Sequence, residues 1–191
     1  MYRLYALVVA TCLALPAQAN WYLDNESSRL SFISTKVVNE SEVHRFLTLH
    51  GQVSDTGKVR LRVDLESVST GIALRDERMR TLLFDTGRFA EAQIDAELDV
   101  APINTLAPGA QLELRLPVTV SLHGRQQRLT AELLATRLDD RRFQVVTLAP
   151  LVLHADAFGL APGVEALRTV AGLSAISLAI PVSAVLIFTE R

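Results

Sequence analysis

The sequence predicts an all-β protein, an antiparallel closed barrel with one helix that covers or closes the barrel. Three observations support this fold class. Roughly eight segments carry the pattern of a β-strand, one helical segment interrupts them, and no strand–helix–strand unit repeats as a parallel sheet would require. The same pattern also fits a two-sheet sandwich. We favour the barrel because closure removes the unpaired edges of the sheet.

The clearest strand pattern occupies residues 58–66, where apolar and charged residues alternate. Its apolar positions are Val59, Leu61, Val63 and Leu65. Such alternation predicts a strand with one face in the interior and the other in water. A longer strand is predicted by apolar residues at a period of two, namely Leu112, Leu114, Leu116, Val118, Val120 and Leu122. His123 and Gly124 follow it, which predicts a hairpin into residues 129–133.

Weaker strand patterns lie on both sides of these two strands. They occupy residues 29–35, 42–49, 52–54, 93–100, 143–145 and 151–154. A final apolar stretch covers residues 173–188 and contains Pro181, which predicts either two strands or one strand with a bulge. With turn residues between them, these segments form a meander of antiparallel strands.

The predicted helix covers residues 74–80. Ile72, Met79 and Leu83 fall on one stripe with Leu82 beside them, so the helix should bury one face and expose the other. Arg75 and Asp76 lie along the same stripe. Two interpretations of this pair stay open: exposed charge pairs at helical spacing, or contact with whatever the stripe covers.

The first nineteen residues have the organisation of a secretory signal peptide. Arg3 precedes an apolar run over residues 4–15, and Ala17-Gln18-Ala19 has the small-x-small form that signal peptidase accepts. The run is shorter than the roughly twenty residues that span a bilayer. We therefore expect export to the periplasm with cleavage after Ala19. Residues 20–191 then form a single domain.

Composition argues against several classes of partner. The one cysteine, Cys12, lies in the predicted signal peptide, so the mature chain has no disulfide. A formal net charge of −2 and the lack of a basic cluster argue against nucleic acid. Ser174, Ser177 and Pro181 interrupt the last apolar stretch, which fits buried strands better than a membrane helix, and no stable membrane span is predicted. The sequence is compatible with a homodimer and does not require one.

No motif for catalysis or metal binding occurs in the sequence. The four histidines do not match the spacing of a metal-binding pair, and GxSxG and GxGxxG segments are absent. Asp139 and Asp140 adjoin two arginines in a predicted turn, where a raised carboxyl pKa is not expected. We predict no catalytic residue, no metal and no required cofactor. An enzyme that uses His44, His50 or Arg75 rests on no motif.

The inward-facing apolar positions leave two interpretations of the barrel interior. One is a filled core, and the other is a cavity lined for a long apolar ligand. Periodicity does not measure the volume of a cavity. The residues alone therefore leave both interpretations open.

The strand-to-helix segment resembles that of YceI-like proteins. Ser67-Val68-Ser69-Thr70 is followed by Arg-Asp-Glu-Arg-Met-Arg at residues 75–80 and by Leu83-Phe84. Residues 30–36 resemble the family's opening strand, and residues 46–51 resemble its glycine-ended second strand. Residues 112–124 resemble its long hairpin arm, and residues 156–159 resemble its late loop. The resemblance covers nearly the whole predicted mature chain. It departs at residues 89–92, where the family usually carries a proline.

The resemblance implies an exported, lipocalin-like barrel that holds a long isoprenoid chain, from a polyprenyl lipid or a quinone, and catalyses no reaction. A periplasmic carrier of such a lipid is the leading hypothesis. The alternative is a non-enzymatic envelope interaction module with a solidly packed barrel. The ligand-binding positions that the carrier hypothesis implies are Phe32, Leu61, Val63, Leu114, Leu116 and Val118 along the tunnel, Met79, Leu82 and Phe84 at one end, and Arg75 or Asp76 at the head group.

Overall fold

The computed structural model describes residues 20–37 and 39–191. The predicted signal peptide, residues 1–19, lies outside the described residues. The strands are β1 (Trp21–Leu23), β2 (Arg29–Lys36), β3 (Glu40–Phe46), β4 (Leu49–Val53), β5 (Lys58–Asp64), β6 (Val68–Ser69), β7 (Glu91–Glu97), β8 (Gln111–Leu122), β9 (Arg125–Asp139), β10 (Arg142–Thr147), β11 (Leu151–His154) and β12 (Ala179–Glu190).

Antiparallel pairing closes eight of these strands into a ring. Its order is β1, β4, β5, β7, β8, β9, β10 and β12, and β12 pairs with β1 to complete it. Strands β1 and β2 follow one another along the same edge of β12, which pairs with β1 through residues 188–190 and with β2 through residues 182–185. The predicted all-β, antiparallel closed barrel is therefore confirmed.

The β8–β9 hairpin forms the longest ladder of the barrel. Its register runs from Leu122 opposite Arg125 to Gln111 opposite Thr136. His123 and Gly124 form the turn with φ angles of 51° and 74°, the left-handed values that a two-residue hairpin loop requires. The inward positions Val118, Val120 and Leu122 are buried, as the period of two predicts.

Two helical segments cover one end of the barrel. The first is α1 (Ala73–Arg78), which continues directly into a π-helical turn, Met79–Phe84. The second is α3 (Ala161–Val170), which packs on that turn so closely that a Cβ at Gly163 would lie 2.6 Å from the carbonyl oxygen of Leu82. Glycine is therefore required at this helix crossing. A short helix, α2 (Ala101–Asn104), lies at the opposite end of the barrel.

Helix α3 was not predicted, because Gly159, Pro162 and Gly163 are typical of a loop. Pro162 lies in the first turn of the helix, where a proline is well tolerated because its missing N–H would have no helical partner. The barrel is thus covered by two helical segments rather than one. None of the helices in the described residues is long and apolar enough to cross a membrane.

The last apolar stretch is also organised differently from the prediction. It contains one continuous strand, β12, with Pro181 inside it, so the prediction of two strands or a bulge is wrong. Pro181 lies opposite Val152 of β11, while the pairing of β12 with β2 begins one residue later at Val182. Proline is compatible with a strand at such a margin because no ladder hydrogen bond on that side needs its N–H.

Candidate functional site

The barrel encloses a cavity of about 620 Å³. This volume falls within the roughly 300–1,000 Å³ of typical small-molecule sites. Its wall is formed by alternate, inward-facing residues of the strands, because successive side chains of a strand point to opposite faces. Examples are Val59, Leu61 and Val63 of β5, Ile94 and Ala96 of β7, and Leu114, Leu116, Val118 and Val120 of β8. The interior is therefore not packed solid.

The cavity has its mouth at the end that carries α1 and α3. Ile72, Leu74 and Val170 line the cavity there and are still 54%, 60% and 47% exposed to solvent. We call the opening that these three residues line, together with the helices around it, the mouth. Large apolar side chains that contact both water and the interior mark the opening of the cavity, because a closed wall would bury them.

The opposite end is closed by three aromatic residues, Trp21, Phe143 and Phe188, which we call the floor. They line the cavity and are only 5–7% exposed. The rings of Trp21 and Phe143 meet edge to face, with centroids 5.7 Å apart. Val100 and Ile103, at helix α2, pack against this cluster. The cavity is therefore open at one end and sealed at the other.

A cluster of charges lies beside the mouth. The Glu42 carboxylate accepts a hydrogen bond from Arg75 Nη1 at 2.6 Å and forms an ion pair with Lys36 Nζ at 3.2 Å. All three residues line the cavity. Burial raises the pKa of Glu42, but the hydrogen bond from Lys36 and the charge of Arg75 outweigh it, so the pKa lies below its ordinary value of 4.5. The cluster therefore offers two cations and one carboxylate to a polar group at the mouth.

His44 lies behind this cluster and is almost completely buried. Its Nε2 forms a 2.8 Å hydrogen bond with Ser34 Oγ, and its ring packs 5.3 Å from that of Phe32. Burial, and then the charge of Arg75, lowers the pKa of His44 below 6.5, so the ring is neutral at pH 7. Its Nδ1 is buried and has no hydrogen-bond partner within residues 20–37 and 39–191. His50 is exposed on the outer surface of β4 and does not line the cavity.

Most of the residues predicted to bind a ligand lie on the cavity wall, although their binding role stays a prediction. Those that line the cavity are Phe32, Leu61, Val63, Arg75, Met79, Phe84, Leu114, Leu116 and Val118. Asp76 does not, because its carboxylate accepts hydrogen bonds from the backbone N–H and hydroxyl of Thr70 at 2.7 and 2.5 Å. Of the two residues predicted at a head group, only Arg75 reaches the cavity.

The prediction that Leu82 closes the end of the tunnel is wrong. Its side chain is 40% exposed and is not part of the cavity wall. The cause is the π-helical turn. Its backbone hydrogen bonds join residues five apart instead of four, so the side chains at its end point in different directions from those of an α-helix. Leu83 and Phe84 consequently lie on the wall with Met79, while Leu82 points outward.

Of the charged cluster only Arg75 was predicted as part of the site, and no residue of the floor was. A signal for the cluster exists, because Ser34 and Lys36 share the inward face of β2 with Phe32, as Glu42 and His44 share that of β3. Applying the period of two to polar residues would have found it. Trp21 of the floor has no such signal, since it lies in a strand of only three residues.

Metal binding finds no support in this part of the chain. Among residues 20–37 and 39–191, no three His, Cys, Asp or Glu side chains come close enough together to hold an ion. The cavity wall is predominantly hydrocarbon, so the site fits an apolar ligand.

Comparison with known families and structures places this cavity in context. The model of the YceI-like domain matches residues 21–188. The chain belongs to the YceI-like family. A polyisoprenoid binding domain from Saccharophagus degradans, implicated in plant cell wall breakdown, is 36% identical and superposes with a TM-score of 0.88, over 90% of this chain and 98% of that one.

A second structure, Burkholderia cenocepacia BcnA, shares the fold of this YceI-like domain. It is 14% identical, with a TM-score of 0.68 over 86% of this chain and 98% of its own. No curated protein matches the chain. The fold and family of the YceI-like domain are therefore established, and the two comparisons with solved structures agree on the barrel.

Proposed function

We propose that this protein binds a long-chain isoprenoid lipid, a polyprenyl lipid or a quinone, in the barrel cavity and carries it through the periplasm without chemical change. The observation that supports this most directly is the apolar cavity of about 620 Å³, sealed at one end and open at the other. The similarity to a polyisoprenoid binding domain, at 36% identity over 90% of the chain, supports the same ligand class.

The energetics of the cavity suit such a ligand. Each methylene transferred from water to an apolar environment contributes roughly 0.8 kcal/mol, so a chain of several isoprene units gains affinity from contact with hydrocarbon alone. Isoprenoid chains carry no hydrogen-bonding groups, and the strand residues that form the wall, such as Leu61, Leu116 and Val118, require none.

The polar head group of the lipid would lie at the mouth. Burying a polar group without a hydrogen-bond partner is unfavourable, and the sealed end of the cavity is aromatic. Lys36 and Arg75 carry hydrogen-bond donors beside the opening, and both contact Glu42 there. A quinone carbonyl or a prenol oxygen can accept from these donors while remaining close to water.

Extraction of the purified protein tests the proposal. The protein is expressed with its signal peptide in a bacterial host, purified from the periplasm without detergent, and extracted with organic solvent for mass spectrometry. We expect a stoichiometric isoprenoid, recovered unmodified. An empty extract, also after incubation with added quinones and polyprenols, would exclude the proposed cargo.

A pair of substitutions on β8 tests whether the ligand occupies the cavity. Leu116 faces the cavity, whereas its neighbour Arg115 points outward with 78% of its side chain exposed. Leu116→Trp should fill the tunnel and abolish lipid recovery, and Arg115→Trp should leave it unchanged. Equal lipid occupancy in the two variants would show that the lipid binds elsewhere on the protein.

The periplasmic location depends on the predicted signal peptide and has a separate test. Cell fractionation followed by amino-terminal sequencing should find the protein in the periplasm, beginning at Asn20. A chain that retains residues 1–19 would contradict the predicted cleavage after Ala19, while leaving the lipid-binding proposal intact.

A further inference from the structure

We propose that the floor limits the length of the isoprenoid chain that the cavity accepts, and that Trp21 sets this limit. The inference rests on the proposed function, because it concerns the same cavity and the same class of ligand. It adds a determinant of specificity at the end of the barrel away from the charged cluster.

The floor is held in place from several sides. Trp21 of β1 pairs with Val53 of β4 on one side and with Glu190 of β12 on the other. Its ring meets that of Phe143 at an interplanar angle of 84°, and the Arg137 guanidinium lies over the Phe143 ring, 5.0 Å from its centroid. Side chains fixed by two ladders and by aromatic contacts do not yield to a longer ligand, since packed interiors resist compression.

The position of the charges fixes the direction of the ligand. Lys36, Glu42 and Arg75 lie at the mouth and are accessible to water, whereas the floor carries no charged side chain and its indole nitrogen, Trp21 Nε1, is buried with no hydrogen-bond partner among the described residues. A polar head group therefore stays at the mouth, and the free end of the chain points toward Trp21. With both ends assigned, the distance from mouth to floor fixes how many isoprene units the cavity can bury.

Chain length then acts on affinity in two regimes. While the chain is shorter than the cavity, each additional isoprene unit leaves water and tightens binding by roughly a hundredfold or more. Once the chain reaches Trp21, a further unit does not fit between the floor and the mouth, so it pushes the head group away from Lys36 and Arg75 and adds nothing to the affinity. The affinity should therefore rise with chain length to a limit and rise no further beyond it.

Trp21 also reports the arrival of the chain, because it is the only tryptophan in the sequence. Its emission should change on binding of prenols at or above the limiting length and remain unchanged with shorter ones. This measurement needs no substitution, so it tests the inference in the native protein.

Variants at the floor test which residue sets the limit. An equimolar mixture of all-trans prenols, added from ethanol to detergent-free buffer, is incubated with the protein, and the bound prenols are extracted and quantified by mass spectrometry. Trp21→Ala should shift the limit toward longer chains by at least a single isoprene unit. Ile103→Ala, which loosens the helix that covers the floor, provides a second variant if the first does not fold.

Tyr22→Ala is the matched control, because Tyr22 is the next residue of β1 and lies on the outer surface of the barrel. It should leave the limit unchanged. An unchanged limit in folded Trp21→Ala or Ile103→Ala, or a change in Trp21 emission that does not depend on chain length, would overturn the inference while the proposed function stands. Binding of no prenol or quinone by the native protein would instead overturn the proposed function itself.

Discussion

The two ends of the barrel are covered by different elements. At the mouth, α1 and α3 cover the barrel with exposed apolar residues and a charged cluster, and α3 approaches the π-helical turn most closely at Gly163. At the floor, Trp21, Phe143 and Phe188 are buried and belong to strands of the ring. Aromatic residues in a continuous ladder make a rigid end, whereas helices on the rim make an end that can open.

This difference suggests a division of labour within one fold. Exchange of a ligand requires a region whose local opening costs little free energy, and the mouth offers exposed side chains and short helices for that purpose. Selection by size requires a surface that does not move, which the floor supplies. Substitutions at the two ends should therefore differ in their effect on stability, and matched pairs can measure that difference.

The largest effect is expected from truncation at the floor. Phe143 is 5% exposed, so Phe143→Ala should lower the free energy of unfolding by about 3–5 kcal/mol. Leu74→Ala at the mouth, where the side chain is 60% exposed, should change it by less than about 0.5 kcal/mol. Urea unfolding measures both values. Similar losses for the two variants would contradict the contrast between a rigid floor and a loose mouth.

An intermediate effect is expected where the two helical segments of the mouth touch. A Cβ at Gly163 would lie 2.8 Å from Leu83 Cα, so Gly163→Ala should lower stability by about 1–3 kcal/mol and speed the release of bound lipid. Gly87→Ala is the control, because a Cβ there meets nothing within 4 Å. Lipid release that is unchanged or slower in Gly163→Ala would show that the packing of α3 does not restrict release through the mouth.

The sequence predicts the barrel wall well because alternation and burial are the same physical property there. Residues 112–122 alternate in the sequence, and the structure buries Val118, Val120 and Leu122. The mouth was predicted less well, since the start of α3 contains Pro162, which fits a helix only in its first turn, and Gly163, which is required there by a tertiary contact. Local patterns therefore identify the walls of this site better than its ends.

The ends also depend on features that no local pattern contains. The outward rotation of Leu82 follows from a π-helical turn, and sequence periodicity gives no indication of that turn. Trp21 forms the floor only because β1 lies between β4 and β12, which are distant in the sequence. Cavity volume is likewise a property of the assembled barrel, so the choice between a filled and a hollow interior required the structure.

A further difference between the ends is their response to pH, because titratable groups line the mouth and not the floor. The pKa of His44 is lowered in the folded protein by burial, and then by Arg75, against the opposing effect of Glu42. The unfolded chain then binds a proton at higher pH than the folded protein does. Stability should therefore be complete above pH 6.5 and fall as the pH drops through the lower pKa of folded His44.

His44→Gln provides the comparison for this prediction, since glutamine retains a hydrogen-bonding group and does not titrate. Urea unfolding of both proteins between about pH 8 and pH 5 should show that the free energy of unfolding declines with falling pH, and that this decline is smaller in the variant than in the native protein. Asp76, Lys36, Glu42 and Arg75 surround the ring and are unchanged in the variant, so their contributions cancel. Equal pH dependence in the two proteins would exclude His44 as the source.

The smallest effect is expected at the rim of the mouth. Lys36 and Glu42 form an ion pair with side chains 26% and 38% exposed, and pairs this accessible to water contribute at most about 1 kcal/mol. Lys36→Met should thus change the free energy of unfolding by less than that amount, with a difference that shrinks in about 1 M salt. A larger loss, or one that salt does not reduce, would mean that this ion pair supports the fold. In that case the mouth would be held as firmly as the floor, and the contrast between the two ends would fail.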